Sequence, residues 1–457
     1  MTAWGRRKGI GLLATGDWTH PLWMREIQLH LEELGNGLLG LKGATPGDPQ
    51  YLLATEVSCI YTQGGKGRRV HTLIWVPTLT SALAINREMT RQGCNLLSDG
   101  RPIIGLTSIQ VAELVLTIEP RALIIPAHAW TPWFSVYGAM SGFDSLEEAY
   151  GPYAKHIYAV ETGLSSNPSM NWRIKELDNR SIVSFSDAHS GPKLGREATV
   201  FEISDGKLNY DAIYAAIRSG AGSVDNFEMP AEGSRSAQKA ERDRAARKIG
   251  NATSAPRIAH TIEFYPEEGK YHYTGHRTCK VRLSPQEAVA KGTTCPVCGK
   301  PLTQGVMARV EELAGRSEED LHLESGIVNY ELWGKQTSMR MTTSKAFPNR
   351  PPFVMLVPLQ EIIAESIGSP VASVKVQPLY TKLTDSLGGE FSVLLSASHG
   401  DIAAIAGERV AVGIDKVRTG DLVIDPGYDG VFGVVKLWRE GEEKPLVNPG
   451  QEQLAIF

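Results

Sequence analysis

Ser181-Ile182-Val183-Ser184-Phe185-Ser186-Asp187-Ala188-His189 is a short apolar run that ends on a carboxylate and an imidazole two residues apart. The run has the length and character of a buried strand, and its polar tail has the residue types that hold a divalent ion. The same grammar recurs upstream. Gly9–Thr15 leads into Gly16-Asp17-Trp18-Thr19-His20, Tyr51–Thr55 into Glu56, and Ala122–Ala127 into His128. His71 stands at the start of another apolar run, Arg68–Pro77. Amphipathic stretches lie between these runs: Leu22–Leu34, Ser108–Glu119 and Asp211–Arg218, the second opened by Thr107 and Gln110 at capping-box spacing. Repeated strand–helix units with ligands at the strand ends predict an α/β fold, a βα barrel whose C-terminal strand ends converge on one face.

The 457 residues are enough for about three domains. With 42% hydrophobic and 21% charged residues, the composition excludes wholesale disorder, a collagen-like repeat and a membrane bundle. The net charge of −4 excludes a protein held to its partner by charge alone. Residues 235–309 nevertheless carry 14 Lys/Arg against 6 Asp/Glu, a basic island that points to a polyanion contact. No run has the shape of a targeting signal or a membrane span, so a cytoplasmic protein without a membrane partner is expected.

Five cysteines make no disulfide framework. Cys59 and Cys94 stand alone, while Cys279, Cys295 and Cys298 crowd together. His276-x-x-Cys279 and Cys295-x-x-Cys298, 15 residues apart, read as one closed, structural zinc site. His276 is the better fourth ligand and His272 the runner-up. Arg277, Lys280 and Arg282 make the module basic and are candidate phosphate contacts. The expected partition is a metallo-domain over 1–231, a charged linker over 232–257, the zinc module over 258–315, and a C-terminal α+β region over 316–457. Short β-rich runs are expected in the last region, at Arg409–Val412 and Val431–Leu437.

Ser186-Asp187-Ala188-His189, Pro126-Ala127-His128 and the strand-end Glu56 resemble motifs of the PHP (polymerase and histidinol phosphatase) metal-dependent phosphoesterases. Thr15-Gly16-Asp17-Trp18-Thr19-His20-Pro21, Ile125-Pro126-Ala127-His128-Ala129-Trp130-Thr131-Pro132, Gly163-Leu164-Ser165-Ser166 and Gly427-Tyr428-Asp429-Gly430 are similar to endonuclease Q, along nearly the whole chain. The resemblance implies a distorted βα barrel that nicks DNA on the 5′ side of deaminated bases and abasic sites. It implies Asp17, His20, Glu56, His71, His128, Asp187 and His189 as ligands of two or three divalent ions (Zn, Mn, Mg or Fe), with Asp17, His128 and Asp187 catalytic. Such a cluster suits phosphate-ester hydrolysis, because it polarises the phosphoryl group and generates hydroxide. Trp130, Trp133, Phe134 and Tyr137, directly after His128, are candidates to line a pocket for an unstacked base.

PHP proteins open on an Asp-x-His-x-His motif that this sequence lacks, so the first strand of the barrel is expected to be missing. Two other readings follow: a PHP-type phosphatase acting on a small phosphate monoester, or a catalytically impaired DNA-binding protein.

Overall fold

The computed structural model describes residues 1–204, 206–220, 255–332 and 335–442. Nearly all of the expected linker lies outside the described residues.

Gln50–Gln63 and Lys66–Val76 are the two longest strands of the first region. Only Gly64 and Gly65 separate them, too few residues for a helical crossover. They therefore pair antiparallel, from Gln63 opposite Lys66 to Leu53 opposite Val76. This hairpin is the spine of a seven-stranded mixed sheet. Leu31–Glu33 and Leu39–Leu41 extend it on one side and Leu123–Pro126 on the other; Leu12–Ala14 and Ile103–Ile104 run parallel to Gln50–Gln63. Ala159–Glu161 and Ser181–Val183 form a separate parallel pair. Among the described residues no sheet closes on itself, so the expected βα barrel is corrected to an open, mixed α/β arrangement.

The helices follow their sequence signals. Thr107 and Gln110 form the capping box of Ser108–Ile118, and Asn209 caps Tyr210–Arg218. The stretch expected as one helix to Leu34 instead stops at His30 and continues as the strand Leu31–Glu33.

A second, five-stranded sheet joins Ala198–Glu202, Arg257–Glu263, Phe353–Met355, Lys335–Ser344 and Leu323–Leu332 in that order. It crosses the boundaries expected at 257/258 and 315/316, so the Cys/His module is an excursion from this sheet. The long polar hairpin Leu323–Leu332/Lys335–Ser344 has no counterpart in the sequence reading. After Pro351-Pro352 the chain is mainly helical, with Leu359–Ser366, Val376–Leu387, Glu390–Leu395, His399–Ala406 and Glu408–Thr419 around a core of Ile362, Leu383, Ile402 and Ile414. Arg409–Val412, expected as β-rich, lies inside the last of these helices. Four apolar residues carry no period, and the buried Val410, Ile414 and Val417 recur at helical spacing. The run expected at Val431–Leu437 narrows to the strand Val434–Lys436. No helix among the described residues is long and apolar enough to cross a membrane.

Candidate metal centre

Register brings the first ligands together. Glu56 opposes Leu73 and His71 opposes Ser58, so Glu56 and His71 share one face of the hairpin. Pro126 pairs with Thr72, which delivers His128 to the same place. Glu56 Oε1 lies 2.8 Å from His71 Nδ1 and 3.4 Å from His128 Nε2, and the two imidazole nitrogens are 3.0 Å apart. One ligand atom from each of the three residues falls within 4.8 Å of the others. Glu56 therefore lies within a long strand, not at the strand end expected for a barrel, and His71 lies within the partner strand.

Burial tends to raise the Glu56 carboxyl, but hydrogen bonds and charge from His128 and His71 outweigh it and hold it well below the usual carboxylate range. Burial, with smaller contributions from His128 and Arg101, lowers the His71 imidazole against the pull of Glu56. At His128 burial is overcome by Glu56, Glu161 and Asp187, and the imidazole is raised. Two imidazole nitrogens at 3.0 Å cannot both present lone pairs unless a proton or a cation lies between them. Two imidazoles and a carboxylate on one buried point are a donor set suited to zinc, manganese or iron, so these residues fit a divalent ion.

The other expected ligands surround this trio without joining it. Asp17 follows the Leu12–Ala14 strand; burial and repulsion from Glu56 and Asp99 raise its carboxyl, against the pull of His189 and His20. His20 is the N-cap residue of Pro21–His30. Asp187 follows Ser181–Val183, its carbonyl held by Arg196 Nη2 at 3.0 Å. The exposed His189 reaches the same carbonyl with Nδ1 at 3.1 Å.

Eight described non-glycine residues take positive φ, and five of them, Asp17, His128, Phe134, Leu164 and Asp187, belong to this centre or its loops. Such backbone is costly for a side chain and persists where the surroundings over-determine it, as at functional sites. At His128 the determinants are explicit. Its N–H donates to buried Glu161 Oε2 at 2.7 Å, and its Nδ1 lies 3.1 Å from Thr131 Oγ1. Gly163, at φ 54°, packs so closely that a Cβ there would overlap His128 Cα. Burial raises Glu161 to about 8.

Several residues were outside the sequence reading. Arg101 Nη1 lies 3.3 Å from Glu56 Oε1, and Asp99 acts on Asp17; both sit in a loop without a motif. Glu197 accepts from Leu164 N–H at 3.1 Å and from Phe264 N–H at 3.3 Å, bracing the turn after Gly163.

The aromatic expectation divides. Trp130 and Tyr137 are fully buried and stacked at 4.8 Å. Trp130 Nε1 donates to Asn171 and the Tyr137 hydroxyl to Glu176. They are core, and their place in a base pocket is corrected; a satisfied N–H and O–H in an apolar site are what a buried Trp–Tyr pair needs. Trp133 and Phe134 stay partly exposed, and the Phe134 ring lies 5.0 Å from that of His71.

In the second cluster, His276, Cys279, Cys295 and Cys298 bring one ligand atom each within 4.8 Å of one another. His272 is elsewhere, buried and stacked on Tyr273. Desolvation raises the Cys295 thiol, but the backbone amides of Val297 and Cys298, together with the side chains of His276 and Cys298, outweigh it and bring the thiol down to about 6. Arg277 and Lys280 are exposed. Arg282 instead pairs with Asp425 and donates to Pro426 O at 2.9 Å, so it docks the module onto the C-terminal segment and is not a free phosphate contact. Arg309, counted in the basic island, is buried and bonded to the carbonyls of Tyr137 and Phe143.

Comparison with known proteins places this geometry in context. The model of the MJ0043 C-terminal domain family matches residues 358–421. An uncharacterised Methanocaldococcus jannaschii protein, MJ0043, is 30% identical over 67% of this chain, which covers 31% of that relative's length. Uncharacterised YqxK of Bacillus subtilis is 28% identical over 94% of this chain and 89% of its own. Among solved structures, the lesion-specific endonuclease PfuEndoQ of Pyrococcus furiosus superposes with a TM-score of 0.71 at 29% identity, covering 95% of this chain and 88% of its own. Endonuclease Q in complex with a 27-mer duplex substrate carrying an abasic lesion at its active site gives 0.70 at 29% identity, covering 95% and 90%.

Proposed function

We propose that this chain, similar to endonuclease Q along nearly its whole length, is a metal-dependent DNA endonuclease of the repair class that cuts on the 5′ side of a deaminated base or an abasic site. The observation that carries the reading is the buried Glu56–His71–His128 trio, set among strand-end Asp17 and Asp187 in left-handed backbone. The likeness to a lesion-specific endonuclease and to a duplex complex supports DNA as the substrate.

Glu56, His71 and His128 would hold one ion, with Asp17, His20, Asp187 and His189 supplying donors for one or two more. Divalent ions bound there polarise a phosphoryl group and acidify water. Glu161 and Thr131 orient His128 by fixing its backbone and its second ring nitrogen. Arg101 offsets the negative charge of Glu56, and the Cys/His module is a structural zinc site that presents Arg277 and Lys280 to the phosphate backbone.

The test is incubation of labelled duplexes carrying uracil, hypoxanthine or an abasic site with Mn²⁺, Mg²⁺ or Zn²⁺. A nick 5′ of the lesion is expected, and Asp187→Ala should abolish it while duplex binding persists. Hydrolysis of a small phosphomonoester with no cut in any duplex would overturn the reading.

A further inference from the structure

Phe432 is 69% exposed, on backbone that is held from several sides. Tyr428-Asp429-Gly430-Val431 is a two-residue hairpin with both central residues left-handed, Asp429 at φ 42° and Gly430 at φ 84°, the type I′ geometry that Asp-Gly favours. Tyr428 N–H donates to Val431 O at 3.0 Å and Val431 N–H to Tyr428 O at 2.8 Å. The amides of Gly427, Gly430 and Gly433 donate to the carbonyls of Glu267, Lys270 and Glu268 at 2.8, 2.7 and 3.0 Å. Asp429 is occupied by Arg277 N–H and Thr303 Oγ1, each at 2.6 Å. A phenyl ring on so constrained a loop stays in water and forfeits its burial.

Its neighbours give the ring a direction. Lys270 Nζ lies 5.4 Å from the Phe432 ring and 5.9 Å from that of Tyr271. Tyr271 meets Trp133 edge-on at 5.2 Å, and the next residue, Phe134, packs on His71. An aromatic row with a cation set in it thus runs from the hairpin to the metal centre, and exposed Arg277 adds a second positive charge beside Gly430. Of the acids in the adjoining turn, Glu267 and Glu268 are both raised by burial, Glu268 to about 8 with help from Glu361.

We propose that Phe432 is a base-stacking contact for duplex DNA opened beside the metal centre, with Lys270 and Arg277 on the flanking phosphates. The inference rests on the nuclease reading and names where its substrate is gripped. Base–aromatic stacking tolerates any sequence, because every base offers a π face, which suits an enzyme that reads a lesion rather than its neighbours.

The full chain is titrated against abasic and intact duplexes over a range of salt, with 2-aminopurine next to the lesion. Phe432→Ala should weaken abasic-duplex binding by about ten-fold, leave the slope of log K against log salt unchanged, and reduce the 2-aminopurine response. Phe432→Trp should restore all three. Lys270→Ala should instead reduce the slope by about 0.9. Zinc content and melting temperature should be unchanged in Phe432→Ala. Wild-type affinity and 2-aminopurine response in Phe432→Ala would overturn the proposal, as would a dimer in sedimentation that this variant disperses. If the parent chain binds no duplex at all, the nuclease reading fails as well, so the two failures are distinguishable.

Discussion

Glu56 is the only carboxylate in the buried trio, and both imidazoles converge on its Oε1. Glu56→Gln keeps the shape and removes the charge that balances a cation. If the trio holds an ion as proposed, its affinity should weaken by at least about ten-fold, the loss typical even of an outer partner. Metal analysis of the dialysed protein measures this; unchanged content would remove Glu56 from the ligand set. A second residue-scale consequence lies at Glu263, which is fully buried, accepts from Ser184 Oγ at 3.2 Å through Oε2, and has no hydrogen bond at Oε1. Burial raises it from 4.5 to about 7. The folded state thus keeps a proton that the unfolded chain releases, so this contribution to stability is full below about pH 4.5 and is lost as pH rises to 7. Glu263→Gln removes the loss. Its advantage over the parent in urea denaturation should be absent near pH 4.5 and reach about 2–3 kcal/mol above pH 7. An advantage independent of pH would mean that the native carboxyl is already ionised.

At the scale of elements, the Cys/His module has very little core of its own: Leu283, Cys295 and Leu302. Its two-stranded ribbon Thr274–His276/Val281–Leu283 and its helix Pro285–Lys291, capped by Ser284 and Glu287, are each too short to persist unaided. Under the proposed assignment of these four ligands, His276, Cys279, Cys295 and Cys298, to zinc, metal binding there is folding free energy. Cys298→Ser should therefore cost one zinc per chain and open 271–304 to limited proteolysis, with the metal at Glu56 retained. Equal protease resistance and equal zinc would show that another residue completes the site. The helix that follows, Val306–Leu313, is fastened differently. Arg309 reaches the carbonyls of Tyr137 and Phe143, and Arg173 grips Glu311 with two bonds of 2.6 and 2.7 Å. The Arg309 contacts tie the module to the loop that follows His128, and the Arg173–Glu311 pair ties it to the end of the Pro168–Trp172 helix.

Across the whole molecule, the first helix, Thr2–Lys8, is anchored in the C-terminal helices. Lys8 Nζ meets Glu390 Oε2 at 2.6 Å, with both side chains almost wholly buried. Glu390 also accepts from the Tyr380 hydroxyl at 2.7 Å and from Leu359 N–H at 3.1 Å. Breaking a buried pair from one side strands the other charge, at about 3–5 kcal/mol. Lys8→Met should lose that much in urea denaturation, and Lys8→Met with Glu390→Gln should lose less than the single change. Additive losses would mean that the two charges are not coupled.

Short-range information was legible in the sequence because its causes are local. The capping box at Thr107 and the His276/Cys279/Cys295/Cys298 set depend on residues a few positions apart or on one closed loop. Apolar runs located the strands that contain Glu56 and His71 and those that lead into His128 and Asp187. Three things needed the tertiary structure. The two-residue turn at 64–65 made an antiparallel hairpin where alternating units had suggested a barrel, and a turn of that length rules out a crossover. The fates of Trp130, Tyr137 and Arg282 depended on distant partners, Asn171, Glu176 and Asp425, which no spacing announces. The positive-φ backbone at Asp17, His128 and Asp187 is imposed by surroundings such as Gly163, 35 residues from His128 in the chain and in contact with it in space. Residue type decided which groups are able to bind a metal; long-range packing decided which of them meet, because burial and register are properties of the assembled sheet.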